Sequence, residues 1–315
     1  MSRLTRHPPI TLHLGAHRTA TTSLQRLMMR NAGDLRERGV VVWGPRQTRS
    51  GLLTGVLGDP GRVRLRRDVQ AYRAAGRVAL LRSDMTRAGI ERLVISDENM
   101  LGGLRENLLL GRLYPSVSAR LHRLAGALRG VERVCLSIRS PDAWWTSAFA
   151  FLMMRGFPPP EAATIDAILR ARRTWRHVIE DVAAAFPEAT LDVWTFEERA
   201  SDPGGLHALL TGHAPARSGV PLVNASPSVG DLRDRLRDDG WTGELPAAGD
   251  GYAPFDADAR IRLREVYAED LDWLRDGADG IACYQGPGSE PVPRPSTGGR
   301  HEGFRPTSPP MGAAG

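Results

Sequence analysis

Apolar residues fall along this chain in two rhythms. Short runs rich in β-branched and aliphatic side chains recur at Ile10 to Leu14, Val40 to Trp43, Leu93 to Ser96, Arg133 to Ile138 and Leu191 to Phe196. Their length and composition predict strands buried on both faces. Between them apolar residues return every three or four positions, first at Leu24, Leu27 and Met28, later at Ile165, Ile168, Leu169, Trp175, Ile179, Val182 and Phe186. That is the period of a helix with one face on a core. Strand alternating with helix predicts a three-layer α/β fold, a parallel sheet with helices on both faces. Ligands of such sheets bind beyond the carboxyl ends of the strands, so the chemistry is to be sought just after each strand. Gly44 to Pro60 and Gly102 to Ser118 are broken by Gly, Pro and Thr and are expected to include long loops over the site.

The rhythm stops near Gly286. Beyond it Pro, Gly, Ser and Thr dominate, and such a segment cannot bury enough apolar surface to offset its ordering entropy. The expectation is one domain over residues 1–285 and a disordered tail over 286–315, with no internal repeat. At 315 residues and 41% hydrophobic content, the chain is long enough for a sizeable core. No run approaches the roughly 20 apolar residues of a membrane span, and the Arg-bearing start meets Pro8 and Pro9 without the apolar stretch of a signal peptide. A cytoplasmic protein with no stable membrane insertion is expected. The two cysteines, Cys135 within an apolar strand and Cys283, argue against a disulfide framework or a cysteine zinc cluster. All 42 basic residues are arginine, and the net charge is +6. An excess of positive charge favours acidic ligands such as phosphate esters or anionic glycans, although a bias of arginine over lysine in the coding sequence accounts for it equally well. No nucleic-acid partner is expected, and the sequence assigns no oligomeric state.

After the first strand comes Gly15-Ala16-His17-Arg18-Thr19-Ala20-Thr21-Thr22, then a helical pattern. A tight loop leading into a helix N-terminus presents backbone N–H donors and a partial positive charge to one anion. The hydroxyls of Thr19, Thr21 and Thr22 add hydrogen bonds, and Arg18 adds permanent charge. A Walker A loop would need glycine at 20 and lysine at 21, where Ala20 and Thr21 stand. After the fourth strand, Arg139 is followed by Ser140-Pro141-Asp142, an N-cap, a first-position proline and a first-turn acid. Ser147 lies on the second turn of the helix they start.

The first segment resembles the 5′-phosphosulfate loop of the sulfotransferase family, especially bacterial members whose loop runs glycine-alanine-histidine-lysine-threonine-glycine-threonine-threonine. It departs by Arg18 for lysine and Ala20 for glycine, which weakens any general-acid role for residue 18 and leaves charge stabilisation. Arg139 and Ser147, eight residues apart behind a strand, resemble the same family's 3′-phosphate site. Phe196-Glu197 after the fifth strand and Asn224-Ala-Ser-Pro-Ser228 are further, softer likenesses. The resemblance spans about Ile10 to Tyr284. It implies a P-loop-like fold and sulfuryl transfer from 3′-phosphoadenylyl sulfate (PAPS) to a hydroxyl or amine of a glycan, lipid or small metabolite, leaving adenosine 3′,5′-bisphosphate (PAP), with no metal. His17, Arg18, Thr19, Ala20, Thr21 and Thr22 would hold the 5′ end of the donor, Arg139 and Ser147 the 3′-phosphate, and Arg18 would also be catalytic.

The chemistry needs a base. Strand Leu93 to Ile95 ends in Ser96-Asp97-Glu98-Asn99. Glu98 is the first candidate, Asp97 the near alternative and His17 a third. Equally, Ser96 or Asp97 caps the next helix. Val94 to Asp97 also echoes a Walker B strand, which keeps open a P-loop kinase or ATPase with a degenerate Walker A loop, and a non-catalytic nucleotide-binding module is a third reading. His13 and His17 stand on a strand and its loop, so metal ligation is not expected. His177 reads as a helix-surface residue. Trp144, Trp145, Phe149 and Phe151 read as core or cleft wall.

Overall fold

The computed structural model describes residues 7–62, 65–219 and 226–288. Strands β1 (Ile10–His13), β2 (Val40–Trp43), β3 (Arg92–Ser96), β4 (Val131–Ile138) and β5 (Thr190–Thr195) form a sheet in the order β2-β3-β1-β4-β5, closed at its edge by the short strand Cys283–Tyr284. Every pairing in this sheet is parallel, as the continuous apolar runs predict. β1 pairs with β3 on one side (His13 beside Ser96) and with β4 on the other (His13 beside Cys135). The connection from β1 leaves toward the β2 edge and that from β4 toward the β5 edge. The loops behind β1 and β4 therefore diverge and open a crevice at the middle of the sheet.

Two apolar layers sandwich the sheet. The larger contains Leu12, Ile95, Leu136 and Val193, with Trp144, Phe149 and Trp175 from flanking helices. The smaller contains Val94, Cys135 and Trp194, with Leu24, Met28, Leu206 and Leu210. Alternate residues of one strand serve opposite layers, which is the period-2 geometry of a strand covered on both faces. Among the described residues no helix is long and apolar enough to cross a membrane.

Two expected loops contain helix. Gly44 to Pro60 holds helical turns at Pro45–Gln47 and Thr48–Leu52, and Gly102 to Ser118 holds a helix, Leu104–Leu110, and the start of another, Val117–Ala127. Buried apolar residues in each, Leu53 and Leu104 among them, outweigh the turn signals of Gly and Pro. The expected tail falls mostly outside the described residues, which end at 288. At its first residue, the Gly286 carbonyl accepts from Arg199 at 2.8 Å. Asn224 and Ala225 also lie outside the described residues, and Ser228 caps the helix Val229–Asp238.

His13 ends β1 on the smaller layer. Its ring stacks on Trp194 at 5.8 Å, and Nδ1 lies 2.8 Å from Ser96 Oγ. Burial lowers its pKa from 6.5 to about 4, against a smaller opposing pull from Glu98. With the folded value below the unfolded one, the neutral ring stabilises the fold fully above pH 6.5. That contribution is lost as pH falls from 6.5 toward 4, because the unfolded chain takes up a proton that the buried ring refuses. Global stability should accordingly drop over this window in denaturant titrations, with the His13 ring resonance titrating near pH 4. A ring that titrates near 6.5 would mean that it reaches water.

Candidate functional site

The crevice holds a cleft of about 420 Å³. His17, Arg18, Ala20, Thr21 and Thr22 line it from the first loop, Glu98 from the end of β3, and Arg139 and Ser147 from the segment after β4. Residues scattered over 130 positions of sequence thus meet because the three strands they follow are neighbours in the sheet. Two expected members, Thr19 and Asp97, do not line it.

The first loop is built by backbone constraint. Leu14 and Ala16 donate N–H bonds to Cys135 and Ser137 of β4, which holds the chain along the sheet until it must reverse. Gly15 (φ 37°), Arg18 (φ 65°) and Ala20 (φ 60°) all take left-handed conformations. At Gly15 a side chain is also barred by space, since a Cβ would lie 2.6 Å from Thr21 Oγ1 and 2.8 Å from His13 Nε2. Ala20 is the N-cap of helix α1 (Thr21–Arg30) and gives no side-chain cap; only its carbonyl engages, accepting from Ser23 and Leu24. The positive end of α1 thus opens on the cleft beside Thr21 and Thr22. Thr19 lines a neighbouring cavity and not the cleft itself. It is buried, and its hydroxyl donates to the Ala16 carbonyl at 2.6 Å, so it shapes the loop from within. Thr21 Oγ1 reaches the same carbonyl at 3.3 Å.

Cations converge on the cleft. Arg18 Nε donates to Ser147 Oγ at 2.9 Å, and Ser147 Oγ is 3.0 Å from Ser226 Oγ. Arg139 Nη1 donates to the Arg18 carbonyl at 2.9 Å, and its guanidinium lies over Phe196 at 4.6 Å. Among the described residues its buried Nε has no hydrogen-bond partner. Burial, then the charges of Arg139 and Arg155, lower the Arg18 pKa to about 10. Arg18 remains charged at neutral pH, with burial the main cause of the shift and the neighbouring like charges a further one. Such packing favours an anion between them.

The acids at the end of β3 part company. Asp97 is fully buried and accepts from Thr48 Oγ1, from Arg49 Nε and Nη2, and from the Asn99 N–H. It is the N-cap of the turn Glu98–Met100, the capping reading of the sequence, and all its acceptor capacity is spent inside the protein. Glu98 lines the cleft, its carboxylate steered by Gln25 Nε2 and Arg49 Nη2, each at 3.0 Å. Burial works to raise its pKa, but hydrogen bonds from its own N–H and Gln25, with the charge of Arg49, hold it below the usual value. It is an ionised acceptor at neutral pH. His17 is tied on both ring nitrogens. The Tyr114 hydroxyl accepts from the His17 N–H (2.8 Å) and so donates to Nδ1 (2.9 Å), which places the ring proton on Nε2, facing Asn99 Oδ1 at 3.0 Å. That leaves His17 a structural member of the wall, with its pKa lowered chiefly by burial.

Several residues of the site carried no signal in the sequence. Gln25 and Arg49 steer Glu98. Trp144 Nε1 donates to the His17 carbonyl at 2.8 Å, and Trp175 Nε1 to the Arg139 carbonyl at 2.7 Å. Arg155, beyond the end of the helix Pro141–Met153, also lines the cleft. Their partners are mostly distant in sequence, so no local spacing announces them. Phe151 lies on the cleft, whereas Trp144, Trp145 and Phe149 are buried in the core. His177 is exposed, capping the helix Trp175–Ala185. Among the described residues no group of three or more His, Cys, Asp or Glu side chains is arranged to hold a metal ion.

No family model matches the chain, and no curated protein does so. Among solved structures, it is similar to a sulfotransferase from Alicyclobacillus acidocaldarius, at 15% identity and a TM-score of 0.41 over 86% of this chain and 100% of that one. It is also similar to the sulfotransferase domain of the Synechococcus PCC 7002 olefin synthase, at 18% identity and a TM-score of 0.35 over 84% of this chain and 96% of that one.

Two of the three left-handed loop positions, Gly15 and Ala20, make opposite predictions. Gly15→Ala combines a positive φ with overpacking and should cost about 2 kcal/mol or more in urea denaturation. Ala20→Gly relieves strain of roughly 1 kcal/mol while adding about 0.4–1 kcal/mol of unfolded-state freedom, so its stability should be equal or slightly higher. A clear loss in Ala20→Gly would show that the alanine methyl packs usefully.

Proposed function

We propose that this chain is a sulfotransferase that takes a sulfuryl group from PAPS and passes it to a hydroxyl or amine. The observation that carries this reading is that one cleft brings Arg18 at a helix N-terminus, Arg139 behind β4 and Ser147 on the helix that follows together with an ionised Glu98. A ligand phosphorylated at both ends fits two cationic loops, and the orphaned Nε of Arg139 suits a phosphate oxygen. A neighbouring cavity of about 230 Å³ shares Ala20 and Phe196 with the cleft and has walls from Leu24, Trp194 and Leu206. Its size and apolar walls suit a flat purine.

In this reading Glu98 takes the acceptor's proton. The acceptor oxygen or nitrogen bonds to sulfur as the bond from sulfur to the 5′-phosphate oxygen breaks, and the electron pair of that bond stays on the phosphate oxygen. Arg18 and the α1 N-terminus balance the charge that develops there. The acceptor is a glycan, lipid or small metabolite. A magnesium-dependent kinase or ATPase is less well supported, because Asp97, the acid it would use, is consumed by Arg49, Thr48 and the Asn99 N–H.

PAP should bind without magnesium and roughly ten- to a hundredfold more tightly than adenosine 5′-monophosphate, the effect of one charge-assisted contact. Arg139→Ala should erase most of that preference in calorimetry. Equal affinity for the two nucleotides would sink the sulfotransferase reading, and ATP binding that demands magnesium would favour the kinase. With an acceptor found by screening, Glu98→Gln should keep PAP affinity and lower turnover by about 10² or more. Undiminished turnover would remove Glu98 from the role of base.

A further inference from the structure

Ser147, Phe151 and Arg155 follow one another at four-residue intervals, so their side chains run in a line along the helix Pro141–Met153 and the turn beyond it. All three line the cleft. Ser147 is buried and Arg155 is exposed at the outer end. The Arg155 guanidinium carbon lies 3.4 Å from the centre of the Phe151 ring, and that of Arg18 lies 5.0 Å from the same ring. Arg155 Nη1 donates to the Phe151 carbonyl at 3.1 Å. Among the described residues no carboxylate lies within ion-pair distance of it, whereas Arg49 is held by Asp97 and Glu98. The stack fixes the cation in place, and no described carboxylate compensates its charge.

Taking the sulfuryl-transfer reading as its premise, the two anionic ends of the donor are met by the first loop with Arg18 and by Arg139 with Ser147. Arg155 is a further cation, nearer to solvent. With the donor seated on the buried loops, an acceptor reaches Glu98 from the solvent side, along the apolar liners Phe151 and Leu104. We infer that Arg155 is an acceptor-specificity residue: the acceptor carries an anionic group, a carboxylate or a phosphate or sulfate ester, which Arg155 holds while the apolar part of the molecule lies on Phe151. Neutral alcohols and amines of the same shape are discriminated against by the charge that Arg155 leaves unmatched.

The test uses PAP to fill the donor site and two probes of similar shape, phenyl phosphate and phenol, titrated calorimetrically into the PAP complex. In the wild type, phenyl phosphate should bind at least tenfold more tightly than phenol, the size of one charge-assisted contact. Arg155→Gln should abolish that preference while leaving PAP affinity within about twofold and the melting temperature unchanged. No preference in the wild type, or a preference that survives in Arg155→Gln, overturns the inference and leaves the sulfotransferase reading standing. A tenfold loss of PAP affinity in Arg155→Gln makes Arg155 a donor residue and likewise overturns it. Failure of PAP to bind the wild type removes the sulfotransferase reading, and the acceptor assignment falls with it.

Discussion

Three buried aromatic residues hold in register the two segments, behind β1 and β4, that line the cleft. Tyr114, Trp144 and Trp175 pack with ring centres 5.8 to 6.1 Å apart, and each carries one polar atom that burial would orphan at a cost of about 1–3 kcal/mol. The Tyr114 hydroxyl pairs with the backbone N–H and the ring of His17, the Trp144 indole donates to the His17 carbonyl, and the Trp175 indole donates to the carbonyl of Arg139. Packing of the rings and closure of the loops are therefore one event. Trp175 is itself fixed from below, where the Asp270 carboxylate accepts from its N–H and from the Thr174 hydroxyl. Loops that follow different strands are thereby joined to a common core, which is how a site assembled from distant segments keeps a fixed geometry.

Against this frame the fold sustains an arrangement that is unfavourable in isolation. Arg18 and Ala20 occupy left-handed backbone conformations, and the Arg18 and Arg139 charges share one partly buried cleft. Strain and like-charge crowding of this kind persist only where the surroundings over-determine them. Here Ala16 stays bonded to β4, Gly15 leaves no space for a side chain, and Thr19 closes the loop on the Ala16 carbonyl. The cations of the cleft are thus held in place by the protein itself.

The carboxylates show how one residue of displacement decides a role. Asp97 has an extended backbone at the cap of a short turn, and Thr48 and Arg49 from a neighbouring segment close over it. Glu98, the first residue of that turn, emerges on the other side into the cleft. Arg49 touches both, binding the buried acid as structure and steering the partly buried one.

The sequence by itself determined the layers and the strands. Continuous apolar runs located β1 to β5 within a residue or two, because a strand covered on both faces has no polar alternation to blur it. Local punctuation also placed the helix starts behind β1 and β4, since caps and first-turn proline act over four residues. Tertiary structure alone decided which side chains face the cleft. Thr19 and Thr21 look alike in sequence and both are buried, yet only Thr21 lines the cleft. Asp97 and Glu98 are adjacent acids until Arg49, 48 residues away, selects one. Tyr114, Trp144, Trp175 and Arg155 join the site through sheet order and helix packing. Contacts of that range leave no spacing along the chain, because they depend on which strands are neighbours and not on which residues are.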